Sequence, residues 1–185
     1  MLLEDLQKNF PLGVEIPLFL KKLLDYSNRV KRYYSGYFEL LDCGANSLYY
    51  WFGKDEAAAS QFAIFGHGGD GCMYGYWLYD NQTIETAPII FLGSEGDQNK
   101  VLANDFKDFL ASLAVGYEDL GYKFDRGEIE LTEQLIHFRN WLETELGIKP
   151  VEDVEVSIEK AMQNHPSLEN WLDDWEKGNL KFQKN

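Results

Sequence analysis

The stretch FAIFGHGGDGCMYGYWLY, Phe62 to Tyr79, brings His67, Asp70 and Cys72 together among five glycines. Three chemistries use residues of these types. A glycine-rich loop cradles a phosphate when a strand precedes it and a helix follows, because the helix N-terminus holds the negative charge. A histidine near a cysteine can activate a thiol nucleophile. His, Asp and Cys together supply metal ligands.

None of the three is supported by its surroundings. GHGGDG reads against the dinucleotide fingerprint G-x-G-x-x-G, but MYGYWLY follows it, and a run so rich in tyrosine and tryptophan is a strand rather than a helix. No Lys-Ser/Thr pair of a P-loop follows either. The other histidines, His137 and His165, have no ligand partner at a familiar spacing, and Cys72 opens an aromatic strand, where a thiol is inert. Asp70-Gly71 is a strong hairpin-turn pair, so a glycine turn joining two strands accounts for the spacing. Glu95 and Asp97 lie in a second loop and could pair with Asp70 as the acids of a glycosidase do. In a chain with 31 Asp and Glu, chance pairing is expected, and a solvated acidic rim is the simpler reading. The residues predict no catalytic group, no cofactor and no metal, and hence a binding protein rather than an enzyme.

The elements that must position these residues follow from periodicity. IPLFLKKLLDYSNRVKRYY reads as an amphipathic helix opened by Pro17, with Leu20, Leu23, Leu24 and Val30 inside and Lys21, Lys22, Arg29 and Arg32 outside. GYFEL and SLYYWF read as short strands, and KDEAAASQ as one or two helical turns. FAIF, MYGYWLY, APIIFLG and KVLA complete the strands, separated by the turn signals DNQT and SEGDQN. NDFKDFLASLAVG is the clearest helix, with Asn104 as cap, a stripe of Phe106, Phe109, Leu110 and Leu113, and Gly116 as its stop. The last third is helical. Thr132 caps a Leu135–Phe138–Leu142–Leu146 stripe that ends at Gly147, a second helix ends before Pro166, and Ser167 caps a third carrying Trp171 and Trp175 on one face. Those helices either fold back on the sheet or extend beyond a smaller core. The order predicts an α+β fold with a largely antiparallel central sheet flanked by helices, in a single domain spanning residues 1–185.

Charge narrows the partners. The formal net charge is −14, unevenly spread: residues 1–36 hold six Lys/Arg against four Asp/Glu, whereas residues 37–116 hold three against eleven. Such a chain repels nucleic acid and anionic lipid, and is steered toward a basic partner. Cys43 and Cys72 are too few for a disulfide framework, MLLEDLQKNF lacks the layout of a signal peptide, and no apolar run approaches the ~20 residues that span a bilayer. The expected setting is the reducing cytoplasm.

The middle of the chain resembles a known family. Phe62–Phe65, the glycine turn at Gly68–Gly71, the Tyr/Trp strand at Tyr74–Leu78, the apolar run Pro88–Leu92 and the F-x-x-F-L helix at Phe106–Leu110 are similar, in order and spacing, to the core of the SUKH superfamily, which includes the fungal cell-wall glucan synthesis regulators. The resemblance is strongest over residues 49–116 and extends over about 15–120. His67-Gly68-Gly69 stands where the family has an acidic residue followed by Gly or Ser, and the helical segment 121–185 has no counterpart. The resemblance implies a protein-binding α+β domain. In bacteria such proteins neutralise toxins, often nucleases, and in fungi they act as scaffolds in cell-wall signalling. The expectation is an immunity protein that binds a basic toxin through Asp70, Glu95 and Asp97 with Tyr74 and Tyr76 as aromatic anchors. The alternative is a regulatory scaffold for an endogenous partner.

Overall fold

Five short strands form one meander: β1 (Glu39–Leu40), β2 (Phe62–His67), β3 (Met73–Trp77), β4 (Ile89–Leu92) and β5 (Lys100–Ala103) pair in sequence order, every pair antiparallel. The computed structural model describes residues 1–31, 33–42, 44–122 and 129–180, so Arg32 and Cys43 lie outside the described residues. Hairpin connections suit this order, since antiparallel neighbours need only short loops. The register slips at Ile64/Gly66, where a bulge leaves Phe65 as the extra residue of β2.

The central strands are unusual for an antiparallel sheet in being buried on both sides, with β3 and β4 buried at every position. Side-chain alternation sends Phe65, Tyr74, Tyr76, Ile89 and Phe91 to one face. It sends Phe62, Ile64, Trp77, Ile90 and Leu92 to the other. Each face therefore needs its own helical cover.

Among the described residues eight α-helices provide it: α1 (Leu3–Gln7), α2 (Leu18–Val30), α3 (Gly44–Trp51), α4 (Glu56–Ala59), α5 (Phe106–Leu113), α6 (Glu133–Trp141), α7 (Val154–Asn164) and α8 (Leu168–Glu176). α1, α2, α5 and α6 pack on the Tyr74/Tyr76 face through Leu6, Leu20, Leu23, Phe109, Leu113 and Phe138. α3, α4 and α8 pack on the Trp77 face through Leu48, Phe52, Ala58, Leu168 and Leu172. α7 runs beside the β5 edge, with Val154 and Ile158 in the first core and Ala161 in the second. Each fully buried large apolar side chain contributes about 1.5–3 kcal/mol by leaving water, so both faces matter to stability.

The α+β fold with its antiparallel sheet is as the sequence predicts, with two local differences. SLYYWF is not a strand but the second half of α3 and the residue that follows it, and Leu48 and Phe52, four residues apart, share the buried side. α5 is capped by Asp105, whose side chain accepts from the N–H groups of Lys107 and Asp108, while Asn104 donates to Asp108. Of the two arrangements open for the C-terminal helices, the one present is the first: they fold back on the sheet. Trp171 and Trp175 stand edge-on to Phe52 at 6.2 and 4.8 Å, and the Trp175 indole donates to Asp55 at 3.0 Å. His165 bonds Tyr79 at 3.0 Å on the same face.

The caps at Thr132 and Ser167 are as predicted, each side chain accepting from a backbone N–H of its first turn. α6 passes into a π-helical turn, Leu142–Leu146, that stops at Gly147 with φ of +67°. No helix among the described residues is long and apolar enough to cross a membrane.

Candidate protein-docking site around the glycine turn

The turn joining β2 to β3 lies at one end of the sheet and collects the candidate residues. The Gly68 N–H donates to Cys72 O, and Gly71 takes φ of +88°, a conformation that costs glycine nothing. Asp70 closes the turn with its own side chain, Oδ1 accepting from the Cys72 N–H at 3.0 Å. The hairpin turn expected from Asp70-Gly71 is therefore present.

Three neighbouring segments meet this turn. The β4–β5 loop reaches it through Ser94, whose hydroxyl donates to Asp70 Oδ2 at 3.0 Å. That loop is kept compact by Asn99, which accepts from the Gly93 N–H and donates to Gly96 O. The segment 117–122 reaches it through Tyr122, whose hydroxyl donates to the same Asp70 oxygen at 2.5 Å. The lead-in to β1 reaches it through Tyr37, against which Gly69 packs so closely that an added Cβ would lie 3.2 Å from the Tyr37 Cβ. The Tyr37 N–H donates to Glu118 O at 2.9 Å, and Glu39 pairs with His67 in the ladder.

Under the turn, Asp70, Cys72 and Asp119 offer ligand-type atoms within 4.8 Å of one another. Such a trio is what a divalent cation can bridge. Asp70 already has other work, whereas Asp119 Oδ1 is buried with no hydrogen-bond partner among the described residues. Burial pushes the Asp70 carboxyl up, but hydrogen bonds from Tyr122, Cys72 and Ser94 outweigh it and hold the group down at about 2. Burial, an interaction with Asp70 and the nearby acidic charges push the Cys72 thiol far up, so it remains protonated. Asp119 is pushed up to about 6 by burial and by the charges of Asp70 and Glu118, against a hydrogen bond from the Gly69 N–H. Gly68 leaves the room these groups need, since a Cβ there would lie 2.5 Å from Asp119 and 2.6 Å from the Cys72 sulfur. Two acids around a neutral thiol make a hydrogen-bonded support for the turn, and we assign no metal to it.

His67 stands apart from this cluster. Its Nδ1 lies 3.0 Å from Gly68 O and its Nε2 lies 3.9 Å from the Glu39 carboxylate, which gives Cys72 no base.

Of the partner-facing residues expected from sequence, Asp70, Glu95 and Asp97 are exposed, and the Ser94–Asp70 bond brings their two loops side by side. Tyr74 and Tyr76 are corrected: each is only 1% exposed, in the core beneath α5, with rings against Phe109 and Phe106. Their strand is buried on both sides, so neither ring can meet a partner while the sheet is intact. The exposed aromatics at this end are instead Tyr33 and Tyr37, 53% and 45% exposed, with rings 6.2 Å apart and nearly perpendicular. Glu118 adds a further exposed acid. The sequence signal for the tyrosine pair was the run RYYSGYFEL, in which Tyr34 and Phe38 turn inward and leave Tyr33 and Tyr37 outside.

No protein-family model, curated protein or solved structure matches the chain.

Proposed function

We propose that this end of the sheet is a docking face for a basic protein, and that the chain acts by binding rather than by catalysis. The observation that carries the reading is the convergence of exposed Glu39, Asp70, Glu95, Asp97 and Glu118 with the exposed pair Tyr33 and Tyr37. Aromatic anchors ringed by acids suit a partner rich in Arg and Lys: the rings supply contact area, and the acids supply steering. The formal charge of −14 acts in the same direction.

Together with the resemblance to the SUKH superfamily, this supports an immunity protein that occludes a cognate basic toxin of the nuclease type, in the cytoplasm. The test is binding to the purified basic toxin domain encoded beside this chain's gene, measured by calorimetry over a range of salt. The expected result is tight association that weakens steeply with salt and that Asp97→Asn together with Glu95→Gln slows. Binding indifferent to salt and to that double substitution would remove the acidic face from the account.

A further inference from the structure

We propose that Tyr33, Tyr37 and Glu39 form an arginine-specific anchor within the docking face, so that the partner is recognised through an arginine rather than through positive charge alone. This rests on the docking reading above and names the partner group that the face is built to take.

The three side chains have the parts such an anchor needs. The perpendicular tyrosines stand edge to face at 6.2 Å, an arrangement that leaves ring surface open to solvent at both residues. Tyr37 is held from behind by Gly69 and through its backbone by Glu118, so one ring is fixed before any partner arrives. The Glu39 carboxylate, half exposed, interacts with the Tyr33 hydroxyl, which ties the acid to the aromatic pair. Among the described residues, its one basic-type neighbour within 4 Å is the His67 imidazole, at 3.9 Å.

A guanidinium uses all of this at once. Its plane stacks on a tyrosine face while its fork of N–H donors bonds the carboxylate, and it loses little hydration in doing so. A lysine ammonium is a hydrated point charge that can meet the acid or the ring, but has no plane to stack. The outlying acids Glu95 and Asp97 do not make this distinction. They attract either cation and set the rate of encounter.

The experiment uses hexaarginine and hexalysine, two probes of equal charge, titrated into the full chain by calorimetry at low salt and followed by aromatic NMR signals. Hexaarginine is expected to bind at least about tenfold more tightly and to shift the ring signals of Tyr33 and Tyr37. Tyr33→Ala and Tyr37→Ala should each bring hexaarginine down toward the hexalysine level and leave hexalysine unchanged. Glu39→Gln, which keeps both rings but removes the charge, should weaken hexaarginine more than hexalysine. Asp97→Asn should weaken both probes alike. Equal binding of the two peptides, with the tyrosine variants silent, would overturn the anchor while leaving the acidic docking face standing. Failure of both peptides to bind would overturn the face and the anchor together.

Discussion

Tyr122 donates its hydroxyl to Asp70 at 2.5 Å, across 52 residues of chain, and so locks the acid of the glycine turn to the segment that follows α5. Asp70 also accepts from Ser94, so this one carboxylate ties three loops together. Its position in the docking face is thus fixed by hydrogen bonds rather than by its own backbone.

Removing that lock has a measurable consequence. Tyr122→Phe should raise the pKa of Asp70 from about 2 toward its ordinary value of 3.8. The substitution should lower stability by about 1 kcal/mol once solvent screening is allowed for. Side-chain NMR titration of Asp70, with urea melts of both proteins, checks both parts. An unchanged titration curve would show that the bond is not formed in solution.

Asp70 and Asp119 should make stability respond to pH in opposite directions. Asp119 binds its proton more tightly folded than unfolded, since folding lifts it from 3.8 to about 6. Its contribution is therefore full below about pH 4 and is lost as pH rises through 6. Asp70, depressed to about 2, contributes above its ordinary 3.8 and loses that contribution as pH falls toward 2. Asp119→Asn should accordingly raise the melting temperature near pH 7.5 by about 2–4 °C, for about 1 kcal/mol after screening. At pH 4 it should do little. A gain of equal size at both values would mean that Asp119 acts through packing and not through its charge.

Arg139 ends α5 from outside: its Nε donates to Ala114 O at 2.7 Å and its Nη2 to Val115 O at 2.9 Å. Two charge-assisted bonds to the terminal carbonyls of a helix predict a loss of about 1.5–3 kcal/mol in Arg139→Ala. Lysine cannot reproduce the fork, so Arg139→Lys should recover less than half of it. Urea denaturation of the pair decides, and a lysine variant as stable as the parent would contradict the geometry.

Tyr76 offers a test in the stabilising direction. Its ring is fully packed, and its hydroxyl has no hydrogen-bond partner among the described residues. Tyr76→Phe removes the orphaned group without changing the ring, and should raise stability by about 1 kcal/mol. Calorimetric melting measures it, and a loss of stability would reveal a partner for that hydroxyl.

The sequence was most legible where one physical rule decided the outcome. The stripes of α5 and α6, the caps at Thr132 and Ser167 and the Asp70-Gly71 turn each carry a local signal that tertiary packing does not override. SLYYWF was misread because its aromatic composition favours strand, whereas the four-residue spacing of Leu48 and Phe52 is the signal that packing used. Tyr74 and Tyr76 were misplaced for a different reason. Alternation separates two faces but cannot say that both are covered: α1, α2, α5 and α6 close over Tyr74 and Tyr76, while α3, α4 and α8 cover the Trp77 face. Tyr33 and Tyr37 escaped notice because they lie in the connection before β1, outside any periodic element.

The double-sided burial of the sheet bears on how the chain must be made. A ribosome delivers the strands first, and α7 and α8 only later. Until Leu168 and Leu172 have emerged, Phe62, Ile64, Trp77, Ile90 and Leu92 lack part of the cover they have in the finished protein. A nascent chain stopped after β5 would therefore present a greasy, strand-bearing surface to water and to its own copies. Because α8 completes this cover only after the strands have emerged, substitutions such as Trp171→Ala should register first as poor yield of folded protein.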